Sequence, residues 1–219
     1  MTLTLYAATT NAGKLRDLTV AAAESGFAVE PLPGLREMTA PDEKEPTFEG
    51  NARLKAEYYS HLALEGALVL ADDSGLEVDA LGGAPGVRSA RYAQDAGYEP
   101  DTENSPAPDI GWLGADAVDV RNNLYLLEQM RGVAQRAARY RCVLALARAG
   151  TTLAASEGSV EGEILESPRG TGGFGYDPLF WLAGLGRTMA EISLEEKHTL
   201  SHRGRAFRAL LPMLHTMVG

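Results

Sequence analysis

The chain has 219 residues and a formal net charge of −10, with 20 Lys and Arg against 30 Asp and Glu. That balance excludes a general nucleic-acid binder, which needs a basic footprint. It does not exclude a small molecule bearing phosphate, held wherever the few basic residues gather. Hydrophobic residues at 45% and charged residues at 23% are ordinary for a globular protein, and the length suits one sizeable domain or a two-lobed one. No apolar run approaches the length that spans a bilayer, and the opening Met-Thr-Leu-Thr-Leu-Tyr carries no basic region of a signal peptide. Cys142 is the single cysteine, so neither an internal disulfide nor a thiolate metal cluster is available within the chain. This usage fits a cytoplasmic setting.

Thr2 to Ala8 reads as a first strand. The small-residue turn Thr9-Thr10-Asn11-Ala12-Gly13 follows, then Lys14 and the helical spacing of Leu15, Leu18 and Ala22. Asn11 is placed to cap that helix. Amides at a helix start favour an anion, whereas Lys14 in the first turn opposes the helix dipole unless a phosphate is bound beside it. An ordinary capped helix is the other reading. The glycine spacing is not that of a Walker A loop. Ser25-Gly26 closes the helix, Phe27 to Leu32 forms a second strand, and residues 31–46, rich in Pro, Gly and acids including Asp42 and Glu43, form a loop. Thr47 caps a second helix with the buried stripe Phe48, Ala52, Tyr59 and Ala63, ended by Gly66.

The apolar run Ala67-Leu68-Val69-Leu70 then stops in Asp72 and Asp73, with Ser74 and Gly75 expected to turn the chain. Two carboxylates that close repel, so a proton, a basic group or a cation must neutralise one of them. Oxygen-only ligands suit Mg²⁺ or Mn²⁺. A plain Asx-turn or helix cap explains the same residues without chemistry.

Gly83 to Gly86 leads into a short helical turn carrying Arg88 and Arg91, and residues 97–114 form a long turn-rich excursion. Asp116 caps a helix with the stripe Ala117, Val120, Leu124 and Leu127. Arg139 to Ala149 is a strand apolar on both faces, hence central. After a turn at Gly150, Thr151 to Glu166 pairs back, its second half alternating apolar and acidic residues. Gly170-Thr-Gly-Gly-Phe-Gly-Tyr-Asp-Pro178 holds Phe174 on a glycine loop, placed either to stack on a base or to anchor a tight turn. Ser193-Leu-Glu-Glu196 is a capping box, followed by Lys197, by Ser201-His202-Arg203, and by a terminal helix packed through Phe207, Leu210, Leu211 and Leu214. Pro212 is expected to kink or end that helix.

Seven blocks in order resemble the inosine triphosphatase-like, or Ham1-like, non-canonical purine nucleoside triphosphate pyrophosphatases. They are Thr10 to Lys14, Thr47 to Asn51 with Lys55-Ala56, Ala71 to Leu81, Gly83 to Gly86, Ser89 to Tyr92, Gly172 to Pro178, and Glu196-Lys197 with Ser201 to Arg203. The resemblance implies a mixed α/β fold: a long twisted, largely antiparallel central sheet with flanking helices, in one domain over residues 1–219 with two lobes around an active-site cleft. It also implies hydrolysis of ITP, dITP and XTP to the monophosphate and pyrophosphate, with Mg²⁺ or Mn²⁺, in a cytoplasmic homodimer that uses neither nucleic acid nor membrane.

Residue by residue, it implies that Lys14 and the backbone of Thr9, Thr10, Asn11, Ala12 and Gly13 hold the triphosphate. Asp73 is the general base and a metal ligand, Glu43 the second metal carboxylate (with Asp42 or Glu45 as alternatives in that loop), and Asp72 a metal-adjacent acid. Phe174 stacks on the purine. Ser74, Gly175 and Tyr176 join the substrate-binding set, and Asp177, Lys197, His202 and Arg203 surround the polar edge of the base. Residues 98–114 depart from the family as an inserted surface loop. A Maf-like pyrophosphatase acting on other bases and a non-catalytic purine nucleotide-binding protein are the rival readings.

Overall fold

The computed structural model describes residues 3–23, 25–100 and 116–218. Among these, strands β1 (Leu3–Ala7), β2 (Phe27–Pro31), β3 (Leu68–Val78), β4 (Ala137–Arg148), β5 (Thr151–Ile164), β6 (Phe180–Leu182) and β7 (Arg187–Thr188) pair in the order β2-β1-β3-β4-β5-β6-β7. β1 runs parallel to β2 and to β3, whereas β6 is antiparallel to β5 and to β7. The α-helices are α1 (Ala12–Ala22), α2 (Phe48–Leu62), α3 (Tyr92–Asp95), α4 (Ala117–Gln129), α5 (Leu194–Leu200) and α6 (His202–Val218). The chain is thus a mixed α/β protein with a mostly antiparallel sheet.

Local chemistry sets these elements. Asn11, Thr47 and Asp116 are the N-caps of α1, α2 and α4, each accepting a backbone N–H of its first turn through a side-chain oxygen. β4 is the middle strand, and Cys142 to Ala147 are buried on both faces. A two-residue hairpin joins it to β5, with Ala149 at φ +50° and Gly150 at φ +78°, the pair of positive dihedrals that such a short loop requires. The expected alternation along β5 is present: Val160 and Ile164 are buried while Glu157, Glu161 and Glu163 are exposed.

Two compact units divide the chain. The first comprises Met1–Ser74, Arg141–Ser159 and Leu194–Gly219, and the second Gly75–Tyr140 and Val160–Ser193. The core of the first unit joins Leu5 and Ala7 of β1, Leu18 and Ala22 of α1, Leu70, Leu144 and Leu146 to Phe207, Leu210 and Leu214 of α6. Each Leu or Phe among these contributes about 1.5–3 kcal/mol by leaving water. In the same unit α6 lies directly on the backbone of β5. A Cβ at Gly158 would stand 2.3 Å from the His202 carbonyl, so only glycine permits this approach. The core of the second unit gathers Leu76, Val78, Leu126, Met130, Ile164, Tyr176 and Phe180 around Tyr140.

Three expectations are corrected. Ser74 and Gly75 do not turn the chain: β3 runs on to Val78. It lies between β1 and β4, and ladder bonds to two neighbours outweigh the turn preference of Asp-Asp-Ser-Gly. Helix α2 stops at Leu62 rather than Gly66, with Ala63 already extended. Pro212 does not end the last helix, which continues to Val218 with Pro212 on its exposed side. Apart from Tyr98 to Pro100, the expected 98–114 insertion lies outside the described residues.

Candidate active site

Because β3 is a strand, adjacent side chains leave it on opposite faces. This separates the two aspartates. Asp72 shares its face with Ser74, whose hydroxyl donates to Asp72 Oδ1 at 3.0 Å. The Lys14 ammonium pairs with the same oxygen. Arg203 Nε at 2.9 Å and the Cys142 thiol at 3.1 Å donate to Oδ2. Burial alone pushes the Asp72 carboxyl up, but Arg203 and Lys14 beside it hold it well below the usual carboxylate range. Asp72 is therefore a fixed anion, and both of its oxygens are already taken by donors.

Arg203 is 1% exposed and is spent in the same network. Nη1 donates to Asp17 Oδ2 at 2.9 Å and Nη2 to the Ser74 hydroxyl at 2.9 Å. Its position at the start of α6, and that of Asp17 on α1, tie both helices to β3. Lys14 is aimed from the first turn of α1, where the Asn11 side chain accepts the Lys14 N–H at 3.0 Å and Thr9 Oγ1 accepts the Asn11 N–H at 3.2 Å. The Ala12 and Gly13 amides precede the first intrahelical bond, from Leu15 to the Asn11 carbonyl.

Asp73 meets a different partner. Lys55 of α2 donates to Asp73 Oδ1 and to Glu43 Oε2, each at 2.8 Å. This ammonium resolves the crowding of carboxylates expected on β3. Burial lowers the Lys55 pKa, but the two carboxylates raise it by more. For Asp73 burial wins and the carboxyl is raised despite Lys55, which makes it a better proton acceptor than an ordinary aspartate. Asp73 Oδ2 is buried and has no hydrogen-bond partner among the described residues.

A divalent metal fits this position. The orphaned Asp73 oxygen and the Glu43 carboxylate are hard oxygen donors of the kind Mg²⁺ takes. No group of three His, Cys, Asp or Glu side chains able to hold a metal occurs among the described residues. A cation here would complete its shell from phosphate oxygens and water, the usual habit of Mg²⁺.

Lys197 and His202 are also in the first unit and are 4% and 5% exposed. Burial, and then the Arg203 charge, hold the His202 imidazole well below its ordinary pKa, so it is neutral and offers one donor and one acceptor.

In the second unit the loop around Phe174 is tightly bonded. Asp177 Oδ2 accepts the Phe174 N–H at 3.0 Å, and Tyr140 donates to Asp177 Oδ1 at 3.2 Å. The Asp119 carboxylate accepts the Gly175 N–H at 2.7 Å, and Asn123 Nδ2 donates to the Gly175 carbonyl at 2.8 Å. The Tyr176 hydroxyl donates to the Ser89 carbonyl at 2.8 Å. Gly173, at φ +76°, has no room for a side chain: a Cβ would stand 2.0 Å from Asp177 Oδ2. A separate cavity of about 950 Å³ in this unit, lined by Tyr98, Tyr125, Glu128, Arg131, Arg136 and Glu166 among others, contains none of these loop residues.

Sequence reasoning gave no role to Lys55, Asp17, Cys142, Asp119 or Asn123. Lys55 carried a readable signal, since it falls on the buried stripe with Ala52 and Tyr59. A charge on such a stripe needs a partner.

The fold is that of known structures. The Ham1 protein of Staphylococcus aureus superposes with a TM-score of 0.75 at 34% identity, covering 98% of this chain and 99% of that one. The chain is 58% identical over 214 residues to a dITP/XTP pyrophosphatase of Acidobacterium capsulatum, spanning 98% of this chain and 99% of the relative. It is 47% identical over 206 residues to a dITP/XTP pyrophosphatase of Thermus thermophilus, spanning 93% and 88%. The Ham1 family profile matches residues 5–213, and the chain belongs to the Ham1 family.

Proposed function

We propose that this chain is a nucleoside triphosphate pyrophosphatase. It hydrolyses non-canonical purine nucleotides (ITP, dITP and XTP) to the monophosphate and pyrophosphate, and so clears deaminated purines from the nucleotide pool. The observation that carries the chemistry is the division of labour on β3. Asp72 is saturated by four donors, while Asp73 keeps a buried oxygen beside Lys55 with no partner among the described residues.

Asp73 orients a water and takes its proton as the water oxygen bonds to the α-phosphorus. The bond from that phosphorus to the α,β-bridging oxygen breaks, and pyrophosphate leaves with the electron pair. Lys14 and the amides at the start of α1 hold the phosphates; Thr9 and Asn11 set that turn. Asp72 fixes the Lys14 ammonium. Lys55 keeps Asp73 and Glu43 together. A Mg²⁺ ion held by Asp73 and Glu43 would neutralise charge on the phosphates and leaving pyrophosphate. Phosphoryl transfer asks the protein mainly for such positioning and neutralisation.

For the base, Phe174 offers a stacking face, and Lys197 and His202 offer donors to a 6-keto oxygen. Adenine presents an amino group at that position, and a buried donor facing a donor discriminates by on the order of 10⁴-fold in favourable cases. The Arg203 guanidinium, bonded to Asp72, Asp17 and Ser74, acts on this reading through Asp72. A homodimer in the cytoplasm belongs to the same proposal and rests on the family resemblance.

The test is to incubate the purified protein with ITP, dITP, XTP, GTP, dATP or dTTP and Mg²⁺ and to measure pyrophosphate. Release from ITP and XTP well above the others is expected. Preference for dTTP would favour a Maf-like enzyme, and binding without release a non-catalytic nucleotide binder.

A further inference from the structure

We infer that Asp119 and Asn123 of α4 are positioning residues that set base recognition by fixing the backbone that follows Phe174. The inference rests on the proposed stacking role of Phe174. A peptide unit is planar, so each residue has only two soft backbone torsions. The plane preceding the Phe174 Cα is held where Asp177 accepts the Phe174 N–H, and the plane following it where Asp119 accepts the Gly175 N–H. With both planes held, the direction of the Phe174 Cα–Cβ bond is set before any ligand arrives. Asn123 then holds the far side of Gly175 through its carbonyl.

Asp119 suits the first turn of a helix, but folding alone gives little reason for Asn123. Asn is a poor helix former, yet Asn123 sits in the middle of α4, 1% exposed. Its Nδ2 also donates to the Asp119 carbonyl one turn back, at 2.7 Å, a bond that competes with the helix ladder. Its Oδ1 is buried with no hydrogen-bond partner among the described residues, a standing cost in a native structure. Asp119 is likewise strained electrostatically: burial raises its carboxyl, and the Gly175 N–H offsets this only in part. What the pair accomplishes together is to hold Gly175, at φ +63°, by both of its backbone groups. A ring fixed in advance spares the ordering entropy that a loose loop would lose on binding a base. The reacting phosphates meet other groups, so the effect belongs in KM and in base preference rather than in kcat.

The experiment measures kcat and KM for ITP and for ribose 5′-triphosphate, which has no base, in the wild type and in Asp119→Ala, Asp119→Asn, Asn123→Ala and Phe174→Ala. Asp119 is partly exposed in the first turn of α4 and carries the test. Asn123 is buried, so its variant is read beside its unfolding midpoint. Asp119→Ala is expected to raise KM for ITP roughly tenfold, with kcat kept and the base-free substrate unmoved. Asp119→Asn, whose amide oxygen still accepts the Gly175 N–H, should recover most of the loss. A wild-type KM in Asp119→Ala, or an equal loss on both substrates, overturns the inference. If Phe174→Ala raises KM for ITP and Asp119→Ala does not, the positioning role fails and stacking survives. If Phe174→Ala itself has no effect, stacking fails and takes the inference with it.

Discussion

The two units hold their functional residues by different means. In the first, charge is matched against charge: Asp72 answers Lys14 and Arg203, Asp17 answers Arg203, and Lys55 answers both Asp73 and Glu43. In the second, a glycine-rich loop is held through its backbone by Asp177, Asp119 and Asn123. The difference follows from the tasks. Ion pairs hold side chains that must carry charge to a phosphate, and they leave selected atoms, such as Asp73 Oδ2, without a partner among the described residues. Backbone bonds hold an aromatic ring whose own side chain can make no hydrogen bond. The first arrangement is vulnerable to loss of one charge, the second to loss of a bond or a proton.

The largest break in the comparison is Arg203→Met. It leaves Asp72 and Asp17 buried without their shared cation, so denaturant unfolding should show a loss of about 3–5 kcal/mol. A loss below about 1 kcal/mol would mean that the network is not what joins α1, β3 and α6. Lys55→Met comes next and is read in rate. Asp73 and Glu43 then lose their bridging cation, and pyrophosphate release from ITP should fall on the order of 10²-fold. Unchanged turnover would remove Lys55 from the site.

The second unit is tested with pH. Burial first, with Asp177 beside Tyr140 and Tyr92 beside Tyr176, raises both phenols well above their ordinary value. Their stabilising contribution is fully present below the unfolded pKa near 10 and is lost as pH rises from there toward the folded values. Unfolding free energy should therefore drop above about pH 10 by about 1.4 kcal/mol per pH unit for each tyrosine. Tyr140→Phe should flatten the slope by about 1.4 kcal/mol per pH unit, and an unchanged slope would exclude Tyr140 as a source. The smallest effect is Cys142→Ser. The hydroxyl still donates to Asp72, so stability should change by about 1 kcal/mol or less, and a larger loss would show that the sulfur packs rather than bonds.

Much of this was legible in the sequence, unevenly between the units. Caps at Asn11, Thr47 and Asp116 and the double-faced apolar run of β4 are local signals, and they place elements well. Asp-Asp-Ser-Gly misled because its turn chemistry is local while the ladders on either side of β3 are not. The same strand geometry then supplied what the sequence could not: successive side chains diverge, so adjacent aspartates acquire separate partners. Lys55 was readable as a charge on a buried stripe. Asp17 and Arg203 are 186 residues apart in the chain, and no spacing rule connects them. Asp119 and Asn123 act on a loop 52 to 56 residues further on, and only the burial of α4 against it exposes their role.

This division gives the chemistry to the ion-paired aspartate face and base stacking to the backbone-held loop. Its most direct test is pyrophosphate release and ITP binding measured together on Asp73→Asn with Mg²⁺ present. Turnover should fall by on the order of 10³-fold or more, with ITP still bound at near wild-type affinity. Wild-type turnover in that variant would contradict it.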